Sequence, residues 1–184
     1  MNRRVANRYA MALMDLGIER NALDKIAEDL REVETTIRGS QEFKVVLMNP
    51  VITPDRKLAL LTEIFGKRFD TITMSFIALL VKKGRAEFLF ATAEEFLDML
   101  DAKNNVVRAQ ISSATTLNAD EQGEIQKKLE TLTGKIVQAG FTIDPSLRGG
   151  FVARIGDRMV DASLRHQLEM LREQFKKGGA AVLN

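Results

Sequence analysis

The stretch KNNVVRAQISSATTLNADE, residues 103–121, decides the fold because the spacing of apolar residues changes within it. Before Asn105 apolar residues recur with helical spacing, and after it short strand-like runs appear. Val106 to Ser112 is predicted to form a strand, and Asn118 followed by Glu121 is typical of a capping box that opens a helix. The sequence therefore predicts an α+β chain of two domains, residues 1–105 and 106–184.

The first domain has the pattern of a helical bundle. Its helical runs are interrupted at Gly17, Gly39, Asn49-Pro50, Gly66, Gly84 and Asn104-Asn105. These breaks indicate about six helices. The second helix is the clearest, since Leu23, Ile26, Leu30, Val33 and Ile37 form one stripe and mostly charged residues occupy the rest. Short helices with short connections predict a compact six-helix bundle.

The second domain is predicted to be a small α/β layer. After the helix that begins at Asn118, Gly134 is a stop signal and Lys135 to Ile143 is a second strand. A hairpin, Gly150 to Ile155 and Arg158 to Val160, and a last amphipathic helix, Leu164 to Phe175, follow. The order is strand, helix, three strands, helix.

Composition and charge exclude several classes of function. The chain has 184 residues, no cysteine and a net charge of +2, so it has neither disulfides nor thiolate metal sites, and its charge is too small to indicate nucleic-acid binding. Its longest strongly apolar run, Phe76 to Val81, is far shorter than the roughly 20 residues of a membrane-spanning helix. The first ten residues lack a signal-peptide core, so the protein is expected to stay where it is made.

The segment GGFVARIGDRMVDASLRHQ, residues 149–167, contains Asp161, Ser163 and His166, the residue types of a hydrolase triad. Ser163 lies where the last helix begins, however, and a capping serine uses its oxygen to accept a backbone N–H. Gly156-Asp157 fits a type II′ turn, and Arg154 and Asp161 would be diagonal neighbours able to form an ion pair. The segment is therefore interpreted as a hairpin turn followed by a helix cap, in preference to a catalytic site.

No other catalytic pattern is evident. The phosphate-binding G-x-x-x-x-G-K-[ST] pattern fails at Leu129 and Ile136, and no G-x-G-x-x-G occurs. With one histidine and no cysteine, only a carboxylate-rich metal site could form, and Glu94 and Glu95 point to different sides of a helix. We therefore expect no catalytic residue, no cofactor and no metal site.

The first and fifth helices carry more apolar residues than a simple amphipathic pattern requires. On helix one, Val5, Tyr9, Ala12 and Leu16 form one stripe, with an adjoining stripe at Ala6, Ala10, Leu13 and Gly17. Helix five is apolar nearly all round from Ile72 to Val81. Such helices either lie at the centre of a bundle or share a face with a partner, and both alternatives remain open.

Five segments resemble the delta subunit of bacterial and chloroplast F-type ATP synthases, the oligomycin-sensitivity-conferring protein of mitochondria. They are VANRYAMAL, NPVITPDRKLALLTEIF, LLVKKGR, ISSATTLN and GGFVARIGDRMVDASLRHQLEMLREQF, spread over essentially the whole chain. Arg148 and Ala162 depart from the pattern, where an apolar residue and glycine would be expected.

The resemblance implies a non-catalytic stator subunit at the cytoplasmic face of a bacterial membrane, held there through its complex. The implied partners are the N-terminal helix of the alpha subunit, in a groove between helices one and five, and the C-terminal end of the peripheral-stalk b subunits. The residues implied to contact alpha are Tyr9, Ala10, Leu13, Ile77 and Leu79. The last helix, through Leu164, Leu168 and Leu171, is expected to contact b or to pack in its own core. The other interpretations are a small hydrolase and a free-standing helical adaptor.

Overall fold

The computed structural model describes residues 3–179, apart from the side chains of 174 and 176–179. The chain divides into two compact units, and the division falls between Asp101 and Ala102, a few residues before the change of spacing at Asn105. We call them the helical unit and the sheet unit. Within residues 3–179 there are eight α-helices and four strands, so the predicted α+β class is confirmed.

Six helices come first along the chain, and their capping residues explain where two of them begin. They are α1 (Arg3–Glu19), α2 (Leu23–Gly39), α3 (Gln41–Met48), α4 (Pro54–Phe65), α5 (Thr71–Lys82) and α6 (Leu89–Lys103), with a 3-10 turn at Ala86–Phe88. Ser40 Oγ accepts the N–H of Phe43 at 3.2 Å at the start of α3. Asp70 Oδ1 accepts the N–H of Ile72 at 2.7 Å at the start of α5. Each cap satisfies a backbone donor that the helix itself leaves free.

The core of the helical unit contains one face of every helix in it. Its largest fully buried side chains are Leu13, Ile26, Leu30, Leu61, Phe65, Ile77, Leu80, Leu89, Phe96 and Leu97. Burying one such side chain contributes about 1.5–3 kcal/mol to stability. The small residues of α1 allow α2 to approach closely, since a Cβ at Gly17 would lie 2.8 Å from Leu23 Cδ2.

Asp29 and Lys57 are two of the charged side chains buried in the helical unit, and each bonds to a backbone group. The carboxylate of Asp29 on α2 accepts the N–H of Asp70 at 2.8 Å, just before α5. The ammonium of Lys57 on α4 donates to the carbonyl oxygen of Leu47 at 2.7 Å, near the end of α3. The first bond links α2 to the start of α5 and the second links α4 to α3, and both satisfy polar groups that burial would otherwise leave unpaired.

The sheet unit is a mixed four-stranded sheet with one helix against it. Its elements are β1 (Val106–Ser113), α7 (Ala119–Thr133), β2 (Ile136–Ile143), a 3-10 turn (Pro145–Leu147), β3 (Phe151–Ile155), β4 (Arg158–Asp161) and α8 (Leu164–Gly179). The strand order is β2-β1-β3-β4. β1 and β2 are parallel and connected through α7, whereas the other two pairings are antiparallel.

The predicted local signals occur at the ends of α7 and in the hairpin. Asn118 and Glu121 form a reciprocal capping box, with bonds of 2.9 and 2.8 Å, and Gly134 ends the helix at φ 67°. Gly156 has φ 56°, the positive value required at the first central position of its turn. α7 covers one sheet face with Ile125 and Leu129.

Candidate partner-binding surfaces

The cluster of Asp161, Ser163 and His166 forms a helix cap. Ser163 Oγ accepts the backbone N–H of His166 at 3.3 Å, and Asp161 Oδ1 accepts the N–H of Ser163 at 2.9 Å. Hydrogen bonds from Ser163 lower the pKa of the Asp161 carboxyl, and the charges of His166 and Arg165 lower it further. The expected ion pair with Arg154 is not among the ion pairs of the described residues, because Asp161 is directed to the start of α8.

Within residues 3–179, no group of three or more His, Asp and Glu side chains is placed to hold a metal ion. Nor does any helix in that part of the chain combine the length and the apolar character needed to cross a bilayer.

A ring contact joins α1 to α5 at the surface of the helical unit. The rings of Tyr9 and Phe76 meet edge to face, with centroids 6.2 Å apart. The guanidinium of Arg85, in the connection after α5, donates to the Tyr9 hydroxyl at 2.8 Å and lies 5.8 Å from the ring centroid. Tyr9 is thereby held from two directions while part of its side chain remains accessible.

An apolar strip runs beside this contact. On α1 it follows the spacing of Val5, Tyr9, Ala12 and Leu16, where Leu16 is 37% exposed. On α5, Leu79 is one turn from Phe76 and 44% exposed. We call Val5, Tyr9, Ala12, Leu16 and Leu79 the α1–α5 strip. Because Ser75 and Leu79 are exposed, the other helices of the helical unit do not surround α5 completely.

The structure separates the five residues predicted to contact alpha into two groups. Tyr9 and Leu79 lie on the strip, but Ala10, Leu13 and Ile77 are buried in the core of the helical unit. The last three side chains line no open groove. Ala10 and Leu13 belong to the adjoining stripe of α1, the inner stripe, and Ile77 lies on the buried side of α5. These three side chains pack in the core that holds α1 and α5 in place.

A second apolar surface lies on α8. Leu164, Leu168, Leu171 and Phe175 follow one another along one side of the helix, and they are 48%, 57%, 49% and 77% exposed. We call these four residues the α8 stripe. Their exposure shows that in this unit Leu164, Leu168 and Leu171 are not core residues.

The α8 stripe continues into a cleft of about 590 Å³ at the start of the helix. The cleft is lined by Ser146, Leu147, Arg148, Val152, Met159, Asp161, Ser163, Leu164, Arg165 and Leu168. Val152 and Met159 come from the sheet face opposite α7, so the apolar surface extends from the sheet onto α8. Arg148 and Arg165 add positive charge to its lining.

Apolar strips are uncovered in both units, and Asp161, Ser163 and His166 form a helix cap. These features define a class of protein that acts by binding other protein chains.

Residues 5–175 match the family model described as ATP synthase delta (OSCP) subunit. The ATP synthase subunit delta of Chlorobaculum tepidum is 40% identical over 170 residues, covering 92% of this chain and 94% of that protein. The chloroplastic ATP synthase subunit delta of Ochrosphaera neapolitana is 32% identical, with 91% and 94% covered.

The fold is also found in a solved assembly. A chain in the cryo-EM structure of the Toxoplasma gondii mitochondrial ATP synthase hexamer superposes with a TM-score of 0.69 at 22% identity, over 92% of this chain and 96% of that one. The chain belongs to the ATP synthase delta (OSCP) subunit family. It is a non-catalytic, structural subunit of F-type ATP synthase, with the role of a stator component.

Sequence reasoning missed Arg85 and Arg148 as parts of these surfaces. Arg85 ends the motif LLVKKGR and is 76 positions from Tyr9. No local sequence pattern predicts the hydrogen bond between them. Arg148 stands out in the sequence only as a departure from the family pattern. It has φ 57° and lines the α8 cleft.

Proposed function

We propose that the subunit ties the catalytic head to the membrane sector through two separate protein contacts. The α1–α5 strip binds an amphipathic N-terminal helix of an alpha subunit. The sheet unit, through α8, binds the C-terminal end of the peripheral-stalk b subunits. The chain is then a peripheral component at the cytoplasmic face of the membrane, held there by its partners. The observation that carries the proposal is the exposed apolar strip beside the Tyr9–Phe76 contact.

The mechanism is mechanical. As the rotor turns inside the head, the head experiences an opposing torque, and without a fixed connection the ion gradient would turn the head as well. Both contacts must therefore dissociate slowly. Nanomolar affinity corresponds to about 12 kcal/mol, more than exposed ion pairs supply. Apolar anchors such as Leu79 and the ring of Tyr9 are the side chains suited to that role.

The three buried residues among the five predicted to contact alpha have a different role in this proposal. Ala10 and Leu13 fix the position of α1 against the core, and Ile77 does so for α5. A rigid strip loses less conformational entropy when a partner helix binds, so core packing behind it favours affinity.

Titration calorimetry with a synthetic peptide of the alpha-subunit N-terminal helix tests the first contact. In the full chain, Leu79→Asp should weaken binding at least about tenfold, since burying an unpaired carboxylate is unfavourable. Val45→Asp, at an exposed position on α3, is the matched control and should leave the affinity unchanged. Circular dichroism checks that both variants stay folded. Unchanged affinity in the folded Leu79→Asp variant would remove the strip from the proposal.

The second contact is tested by affinity purification of the tagged full chain from detergent-solubilised membranes. Alpha, beta and b subunits should be recovered together with the chain. In the Leu168→Asp variant, b should be depleted relative to alpha, because the aspartate interrupts the α8 stripe. Equal recovery of b with both chains would show that α8 is not its contact.

A further inference from the structure

The spacing of the α8 stripe is that of one strand of a coiled coil. Leu164, Leu168, Leu171 and Phe175 are separated by four, three and four residues, which is the alternation of the two apolar positions of a heptad. All four side chains are about half exposed or more. The helix therefore presents two heptads of unpaired apolar surface.

The first turn of α8 is fixed to the sheet unit. Ser163 caps the helix, and the N–H of Leu164 donates to the carbonyl oxygen of Gly149 at 3.0 Å. Gly150 approaches the same connection so closely that a Cβ there would lie 2.3 Å from the Ala162 carbonyl oxygen. The direction in which α8 leaves the sheet is thus determined by backbone contacts, and the stripe is presented in a defined orientation.

The two sides of the stripe differ in charge. Arg165 and Arg172 flank it on one side, at equivalent positions of successive heptads, and Gln167 flanks it on the other. Arg165 lies 4.0 Å from Glu169, but both side chains are largely exposed, so this ion pair holds Arg165 only weakly. No ion pair of the described residues includes Arg172.

We propose that α8 pairs with one amphipathic helix of another protein, and that this helix carries glutamate or aspartate beside its apolar stripe, on the side that meets Arg165 and Arg172. The inference rests on the proposed function, because it specifies the chemistry of the peripheral-stalk contact. The Leu147, Val152 and Met159 side chains in the adjoining cleft then receive apolar residues at the end of the same helix.

The charge pattern also decides against a second copy of this chain as the occupant. In an antiparallel pair of α8 helices, the arginine side of one helix faces the arginine side of the other, and like charges repel. In a parallel pair, the arginines face the glutamine side, where they find no opposite charge. Acidic residues on a different protein would form ion pairs with both arginines. The charge pattern therefore favours pairing of α8 with a different protein over pairing with a second copy of itself.

Two synthetic probes test this pairing on the full chain. Both are three-heptad helices with leucine at the apolar positions, flanked in one by glutamate and in the other by lysine. By fluorescence anisotropy the glutamate peptide should bind at least about tenfold more tightly than the lysine peptide at low salt. The Arg165→Glu/Arg172→Glu variant should reverse that preference. The Arg20→Glu/Arg31→Glu variant has the same change of net charge in the helical unit and should retain it.

Three outcomes would overturn the inference. They are equal binding of both peptides, a preference that the Arg165→Glu/Arg172→Glu variant leaves unchanged, and a dimer by sedimentation equilibrium that Leu168→Asp dissociates. Failure here is separable from failure of the proposed function. If a peptide from the C-terminal end of b binds with an affinity that Leu168→Asp abolishes but Arg165→Glu/Arg172→Glu does not alter, the peripheral-stalk contact stands and only its charge selection is wrong.

Discussion

Arg85 donates a hydrogen bond of 2.8 Å to the hydroxyl of Tyr9, and this bond links the connection after α5 to the middle of α1. The same guanidinium lies 5.8 Å from the Tyr9 ring centroid, so the ring is held by its hydroxyl and by its face. The ring of Phe76 packs against it at a steep angle, with the two ring planes 71° apart. The aromatic side chain of the α1–α5 strip is therefore fixed before any partner arrives.

Tyr9→Phe should lower the free energy of unfolding by about 1 kcal/mol, because it removes the acceptor but keeps the ring. A double-mutant cycle with Arg85→Ala, measured by urea denaturation, should give a coupling energy of about 0.5 kcal/mol or more. If the two substitutions are additive, the hydrogen bond contributes nothing measurable to the stability of α1.

Leu13→Ala and Leu16→Ala separate the two stripes of α1. Leu13 is buried, so truncation should destabilise the chain by about 2–5 kcal/mol through lost burial and a cavity. Leu16 is partly exposed on the strip, and its truncation should change stability by less than about 1 kcal/mol. Only Leu16→Ala should weaken binding of the alpha-subunit peptide at a temperature where both variants are folded. The reverse pattern would place Leu13 in the partner contact.

Gly150→Ala should destabilise the sheet unit by more than about 1 kcal/mol. Its φ of 75° is unfavourable for alanine, and the added methyl group would clash with the Ala162 carbonyl. Gly123→Ala is the matched control, since it lies within α7 with open space at its Cβ, and it should stabilise the chain by about 0.5–1 kcal/mol. Thermal unfolding of both variants measures the difference, and equal shifts in Tm would contradict the close approach of Gly150 to Ala162.

The Asp161 cap predicts a dependence of stability on pH. The pKa of this carboxyl is lowered in the folded chain, so at acidic pH the unfolded chain binds the proton more readily. The stabilisation is complete above the ordinary value of 3.8 and is lost as the pH falls through the lower folded value. Asp161→Asn should therefore be less stable than the wild type at neutral pH, with a gap that narrows only below about pH 4.

Chemical denaturation at a series of pH values measures this gap. Asp144→Asn is a useful comparison, since hydrogen bonds from Ser146 also lower the pKa of that carboxyl, but they cap the 3-10 turn Pro145–Leu147 and not α8. A gap for Asp161→Asn that widens on acidification would show that the carboxylate is not stabilised by the cap.

The local signals in the sequence were sufficient for the order of elements in the sheet unit. Asn118 and Glu121 mark the start of α7, Gly134 its end, and Gly156 the hairpin turn, and each acts through atoms a few residues away. Short-range hydrogen bonds and positive φ values are encoded by residue type, so a single sequence is enough to find them.

The inner and outer stripes of α1 could not be distinguished in the same way. Helical spacing identifies adjoining apolar stripes but does not say which one faces α2. Ala10 and Leu13 lie on the inner stripe because α2 approaches α1 closely beside Gly17, a fact of tertiary packing. The hydrogen bond between Arg85 and Tyr9 could not be predicted from the sequence for the same reason, because it depends on where distant segments of the chain come together.

The exposed leucines of α8 also affect the fate of a chain that has not yet joined its complex. Half-exposed apolar side chains in a row are the kind of surface that chaperones bind and that promotes nonspecific aggregation. Once a partner helix covers them, that liability disappears. We therefore expect the solubility of the newly made protein to depend on the supply of its partner.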